Sequence, residues 1–496
     1  MISLPTDDKG KRRWLYFISI AYVFLLSYLI TNEDYWGFFI PGAVILAGMF
    51  MLSLDWVWFL AVMATPLAVN IKDLDMGVGV SLPSEPLMFG LMVVFFLKLL
   101  YERAYDKRIL HHPLTIIIFV QLAWMTLVSF TSEIPMVSIK YMISRIWFVV
   151  PFFFMAVLIF RKQITISRFI WAYGIPLALV VIITTIRHSA YGFSEKTGHW
   201  IMTPFYNDHT AYGAILAMMI PPFTVLAFHK AQRKSLRLLS LALLIILGIG
   251  LFLSYSRAAW IGTIAGILTA LIIWWKIKFR WIFLTIATIL AIFFTFQHQI
   301  LDRLEKNKQD SSANFVEHVR SISNISSDAS NLERINRWQA ALRLFEERPL
   351  FGWGPGTYQF VYAPYQMLKE KTIISTNAGD KGNAHSEYIG PLAEQGFPGL
   401  IIVLVLFCMV IYHGIRIRRK LTNSFLRALI LSVTIGMITY FTHGFLNNFL
   451  DTDKLSVPFW AFIAMIVAID VYHVDKEEEN KEVCSKDDSV ENLNRQ

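Results

Sequence analysis

The sequence predicts an all-α polytopic membrane protein of about 12–14 transmembrane helices, with one large periplasmic loop that contains an amphipathic helix. Three observations predict it. Of 496 residues, 55% are hydrophobic and 16% charged, and the mean hydropathy is +0.51, outside the usual soluble range. Apolar runs long enough to cross a bilayer as helices recur along almost the whole chain. The basic residues cluster in every second loop, which is how a multi-pass protein marks its cytoplasmic side.

The first run, Trp14 to Ile30, follows Lys11, Arg12 and Arg13. It is longer than a signal-peptide core and has no small-residue cleavage site behind it, so it reads as a retained span. About fourteen candidate spans follow the hydropathy, near 14–31, 36–53, 55–71, 84–100, 113–130, 142–160, 167–187, 209–228, 236–253, 258–275, 281–297, 387–412, 425–445 and 455–472. With the N-terminus cytoplasmic, the cytoplasmic loops carry Arg103, Lys107 and Arg108, then Arg161, Lys162 and Arg168. Further along they carry Lys230 to Arg237, Lys276 to Arg280, and Arg416 to Lys420. The second and third spans are separated only by Ser53, Leu54 and Asp55, and removing them as a pair leaves this alternation intact. The resulting organisation is an N-terminal membrane region over 1–297, a periplasmic loop over 298–386, three more spans over 387–472 and a charged, disordered cytoplasmic tail over 473–496.

Two cysteines, Cys408 and Cys484, cannot build a disulfide framework or a cysteine zinc site, and no metal or other cofactor is expected. A net charge of +9 would suggest nucleic acid in a soluble protein, but here it sets topology, so the bilayer is the expected partner and nucleic acid is not.

The loop divides in two. Residues 306–331 are rich in Ser, Asn, Asp and Lys and read as mobile. From Asn331 to Glu347, Leu332, Ile335, Trp338, Ala341, Leu342 and Phe345 recur at helical spacing, so an amphipathic helix is expected. Pro349 ends it. Gly352, Gly354 and Gly356 then form a tight turn that is not a P-loop, because no Gly-Lys-Ser/Thr follows and no strand precedes it.

Four places can carry chemistry. In the run Asn383-Ala384-His385-Ser386-Glu387, where the loop enters a span, Asn383 is an expected N-cap. His385 would then lie in the first helical turn, where the dipole disfavours imidazolium and a neutral ring can accept a proton. The alternative is an interfacial histidine bonded to water. Glu387 of the same run is a further substrate contact. In the short outer hairpin Ser254-Tyr255-Ser256-Arg257, the arginine runs against the charge bias and either snorkels or forks onto a phosphate. Arg334 and Arg337 of the loop helix are either a solvated face or anion contacts. Lys140, Arg145, Arg187 and His209 lie at outer span ends. Taken singly they read as interface anchors, and together as an anionic headgroup site.

These residues sit in motifs that resemble the shared C-terminal region of O-antigen ligases and O-antigen polymerases. The resemblance rests on Ser256-Arg257, on Glu333-Arg334 with Arg337-Trp338, on the glycine-rich run to Tyr358, and on Asn383-Ala384-His385-Ser386-Glu387-Tyr388 with Leu392 to Leu400. Tyr206-Asn207-Asp208-His209 also resembles their mid-chain span. It covers roughly residues 200–450, and the span count exceeds the family's by about two. The resemblance implies a metal-independent membrane glycosyltransferase, of the inner membrane with both termini cytoplasmic, acting on undecaprenyl-diphosphate-linked glycan at the periplasmic face. It implies His385, Arg257 and Arg334 as the functional residues, with Arg337 a close competitor of Arg334. The expected acceptor is lipid A-core, as for a ligase of lipopolysaccharide biosynthesis; a polymerase or a protein O-oligosaccharyltransferase would use the same chemistry. A lipid-linked glycan flippase is the alternative from another class, and it would need ionisable groups inside spans and internal symmetry.

Overall fold

The computed structural model describes residues 8–32, 48–49, 53–71, 80–278, scattered positions from 280 to 295, 329–371, 375 and 382–474. The expected spans near 36–53 and 281–297, most of the 306–331 segment and the tail from 475 lie outside the described residues. The chain divides into two units, Met1–Leu60 and Ala61–Gln496. In the first, the helix Asp8–Thr31 contains the basic run and the first apolar stretch.

Among the described residues, ten helices are long and apolar enough to cross a bilayer. They are Ser84–Glu102, Pro113–Phe130, Pro135–Ile159, Gln163–Ser189, His209–Phe228, Lys234–Leu253, Arg257–Trp274, Ile389–Lys420, Ser424–His443 and Asp453–Val474. The protein is an all-α polytopic membrane protein. Large apolar side chains such as Phe130, Ile186 and Leu238 stand more than 60% exposed on its sides, which lipid tolerates and water does not. The Asp453–Val474 helix is buried along almost its whole length and forms the axis of the bundle. Small residues let neighbours approach closely: a Cβ on Gly262 would lie 2.5 Å from the Thr439 carbonyl oxygen, and one on Gly436 2.5 Å from that of Met218.

The candidate span near 55–71 is corrected. Its helix ends at Ala64, and after a short turn over Thr65–Leu67 the chain forms strand Val69–Ile71, paired antiparallel with Val80–Leu82. The apolar helical stretch Leu54–Leu67 is too short to span. The reason lies elsewhere in the chain. Lys454 donates to the carbonyls of Thr65 and Ala68, the latter at 2.7 Å, and so satisfies the end of a helix that stops inside the protein. Asp453 beside it accepts from Ser84 Oγ at 2.6 Å.

The loop helix forms over Ala329–Glu347, two residues before the expected start. Ala340, Ala341 and Leu344 pack with Trp353, Tyr358 and Tyr362 and with Ala393 of the Ile389–Lys420 helix. Of the stripe residues whose burial is described, Ala341 joins this core, while Ile335 and Leu342 are 37% exposed. The glycine turn then clamps onto that helix: Trp353 N and Gly354 N donate to Ala393 O (3.1 Å) and Glu394 O (2.8 Å), and Phe397 N donates to Pro349 O (2.8 Å). Gly396, at φ 70°, opens the helix to accept the last of these.

Candidate functional site

Where the loop returns to the membrane, the site begins with a buried ion pair. Glu333 Oε1 accepts from Arg337 Nε at 2.9 Å, and both side chains are under 10% exposed. Arg337 Nη1 donates to Asn383 O at 3.1 Å, and its guanidinium stands 5.6 Å from the Tyr362 ring centroid. Tyr358 Oη donates to the Arg337 carbonyl at 2.7 Å. Arg337 is thus a strut that fixes the chain two residues before His385. A Cβ on Gly382 would collide with its guanidinium, which accounts for the glycine. Arg334, nearly one turn earlier, is half-buried and sets its charge against both His385 and His443.

His385 is not in the first turn of a helix. Its backbone is left-handed, φ 47°, and the helix starts only at Ile389. Asn383 Oδ1 accepts His385 N–H at 3.1 Å, closing a turn rather than capping a helix. Ser386 Oγ takes the capping role, accepting from Tyr388 N (3.2 Å) and Ile389 N (3.3 Å). The imidazole is nonetheless held neutral, for a different reason. Burial, then the guanidiniums of Arg337 and Arg334, push its pKa down to about 4, against the opposing pull of Asp208 and Glu333.

Glu387 is a staple between segments. Its N–H donates to Gly444 O at 2.8 Å, while its Oε1 accepts from Tyr440 Oη (2.6 Å), Phe449 N (2.8 Å) and Leu450 N (3.1 Å). A carboxylate oxygen so engaged holds the connection into the last helix.

Arg257 opens the Arg257–Trp274 helix, whose N-cap Ser256 accepts from Ala259 N at 3.3 Å. Gly262 meets Thr439 and Gly266 meets Ile435, so this helix runs antiparallel to Ser424–His443. Continuing that register sets Arg257 level with Gly444, whose carbonyl also accepts from Ser386 Oγ at 3.4 Å. Arg257 therefore stands at the same end of the bundle as the His385 segment. Beside it, His209 Nδ1 lies 3.2 Å from Asp208 Oδ1 and its ring stacks on His199 at 4.3 Å. Burial acts to raise the Asp208 carboxyl, but the hydrogen bonds from His209 and Thr210 outweigh it and hold the pKa below the usual range.

The other three cations have surroundings of their own. Arg187 donates to the Thr203 carbonyl and ties down the connection before His209. Lys140 lines an open cleft of about 940 Å³. Arg145, 6% exposed, donates to Tyr141 Oη at 3.0 Å beside an enclosed chamber of about 50 Å³. Electrostatic coupling links His385 with Arg334 and Asp208, Arg257 stands at the same end of the bundle, and Lys140 and Arg145 line spaces that border the same turn at Asn383.

One member escapes a reading of the sequence. His443, 1% exposed, has no hydrogen-bond partner on either ring nitrogen among the described residues and feels the charges of Asp208 and Arg334, as His385 does. Its only signal is a histidine closing a span. At the opposite end of the bundle His112, His413 and Asp470 come within metal-ligand distance of one another. There His112 Nδ1 accepts from Leu114 N at 3.2 Å, so Nε2 carries the proton and donates to Asp470 at 3.3 Å. That pairing suits a hydrogen bond rather than a metal.

Residues 242–404 match the family model described as O-antigen ligase. Over this stretch the chain is similar to the O-antigen ligase family. The match contains Arg257, Arg334 and His385, but is narrower than the expected 200–450 and leaves Asp208, His209 and His443 outside. No curated protein matches the chain. The similarity over this stretch supports a membrane glycosyltransferase of the O-antigen ligase or polymerase kind.

Proposed function

We propose that the protein transfers a glycan from undecaprenyl diphosphate to an acceptor sugar hydroxyl of lipid A-core, at the periplasmic face of the bacterial inner membrane and without a metal. The observation that supports this reading best is His385: an imidazole kept neutral, on a rigid turn, between a guanidinium and the Asp208 carboxylate. In the transfer, the acceptor hydroxyl attacks the anomeric carbon, the bond from that carbon to the diphosphate oxygen breaks, and His385 takes the hydroxyl proton. Arg334 and Arg257 meet the charge that grows on the departing diphosphate. Arg337 is left the positioning role, because its donors already hold Glu333 and Asn383.

A polymerase would use the same residues and add the glycan to a second lipid-linked glycan. Deleting the gene and resolving the lipopolysaccharide separates the two. A ligase leaves bare core and accumulates lipid-linked polymer. A single repeat unit capping the core would assign the protein to polymerisation instead.

A further inference from the structure

The open cleft of about 940 Å³ has the size of a ligand site, but not the chemistry of a diphosphate site. Three carboxylates line it, Glu85, Glu394 and Asp451, against the single ammonium of Lys140. Neither Arg334 nor Arg337 is among the described residues of its lining. The remaining wall is amides and aromatic rings, Asn448 and Gln359 with Trp147 and Tyr141 among them. Trp147 Nε1 and Asn448 Oδ1 are buried behind this wall with no hydrogen-bond partner among the described residues. Gly382 and Asn383 of the His385 turn form one edge, so a ligand lying in the cleft reaches the segment that carries the imidazole.

An anion entering this space meets three acidic side chains against one ammonium, a setting that disfavours it. A polyol meets acceptors for its hydroxyls in the carboxylates and amides, and flat apolar faces in the rings. Asp451 is exposed to the cleft. Glu394 accepts Tyr358 N–H at 3.0 Å through Oε1 and also borders the enclosed chamber that contains Arg145, so it is held in place from two sides.

We infer that this cleft is the acceptor subsite, that it takes an uncharged, hydroxyl-rich part of the acceptor glycan, and that Glu394 and Asp451 determine that preference. The inference rests on the reading of the protein as a glycan transferase. It divides the labour of the site: arginines for the diphosphate donor on one side of the His385 turn, carboxylates and aromatics for the acceptor on the other.

The test is steady-state transfer by purified wild-type, Asp451→Asn and Glu394→Gln proteins, titrated separately with a core glycolipid acceptor and with the undecaprenyl-diphosphate glycan donor. Acceptor KM should rise roughly tenfold, the size of one hydrogen bond to a charged group, with donor KM unchanged. Glu394→Gln keeps an oxygen for Tyr358 N–H. Lys140→Glu, at an exposed position, should raise KM for the phosphorylated acceptor more than for the same acceptor after phosphatase treatment. An altered donor KM, or an acceptor KM that none of the three substitutions moves, overturns the subsite while the transferase reading stands. Absence of transfer by the wild type overturns both.

Discussion

His385 gains a proton only in strong acid, because burial and two guanidiniums hold its pKa near 4. As a general base it works in the neutral form, so kcat/KM should fall on the acid side below pH 5 and not near the ordinary 6.5. Arg334→Gln removes one of the charges that depress the pKa, so it should move that limb upward as well as slow the reaction. A limb that stays near 6.5 in the wild type would place the proton acceptor elsewhere. The same shift has a stability consequence of definite sign. Between pH 6.5 and 4 the unfolded chain binds this proton and the folded one does not, so acidification destabilises the wild type more than His385→Ala. In transfer, His385→Ala and His385→Gln should both lose about 10² to 10⁴ in rate, since neither accepts a proton, with donor binding measured in parallel and retained. Arg257→Lys should cost about 2–4 kcal/mol of transition-state stabilisation, as for any single preorganised donor. The ammonium keeps the charge and loses the fork. Full activity in Arg257→Lys would mean that a point charge suffices there.

The glycine turn and the opened helix carry the loop at the scale of elements. Gly354 sits at φ 112° with the site of a Cβ 2.0 Å from Ser132 Oγ, and Gly396 at φ 70° with that site 2.1 Å from the Leu350 carbonyl oxygen. Alanine at either position should cost about 1–3 kcal/mol for the backbone alone, and more for the collision. We expect lower melting midpoints in detergent and loss of transfer, although neither glycine touches substrate. Gly248, in regular helix with open space around it, is the control, and alanine there should leave the midpoint unchanged or raise it. Equal effects at all three positions would show that the turn has no special part in docking the loop. The loop helix depends likewise on the Glu333–Arg337 pair. Breaking a buried pair by removing one partner costs about 3–5 kcal/mol, so Arg337→Ala should unfold the loop where Arg334→Ala only slows catalysis. Limited proteolysis of the two proteins separates these effects.

For the whole molecule, the prediction is orientation. The ends of the helices that carry the loop helix and His385 face one way, and the basic loops after Glu102, Ile159, Phe228, Trp274 and Lys420 face the other. By the positive-inside rule the loop is then periplasmic. Glu346 is exposed on the loop helix. After removal of Cys408 and Cys484, a cysteine introduced as Glu346→Cys should react with a membrane-impermeant thiol reagent in spheroplasts. Protection there and labelling only after lysis would invert the topology. Transfer should also survive EDTA, since the arginines meet the diphosphate charge. Loss with EDTA and rescue by magnesium would hand that role to a metal.

Much of this protein was determined by its sequence alone. Hydropathy fixes the long spans, because a helix that must satisfy its own backbone in lipid needs an unbroken apolar run. Spacing of three and four fixes the loop helix to within two residues, and the motif around Asn383 marks His385. Other features depend on contacts between residues far apart in the chain, and only the tertiary structure decided them. The helix that stops at Ala64 depends on Lys454, nearly four hundred residues away, to receive its carbonyls. The face of the loop helix that carries Ala340, Ala341 and Leu344 could have met lipid or protein, since both accept apolar surface, and it packs on Ala393, Trp353 and Tyr358. Arg334 and Arg337 are equivalent by spacing, and only the structure shows that the second bonds Glu333 and the Asn383 carbonyl. The neutrality of His385 follows from the same cause: a helix start can be read from a sequence, whereas the burial and the two guanidiniums that depress its pKa exist only once the loop has folded back onto the membrane helices.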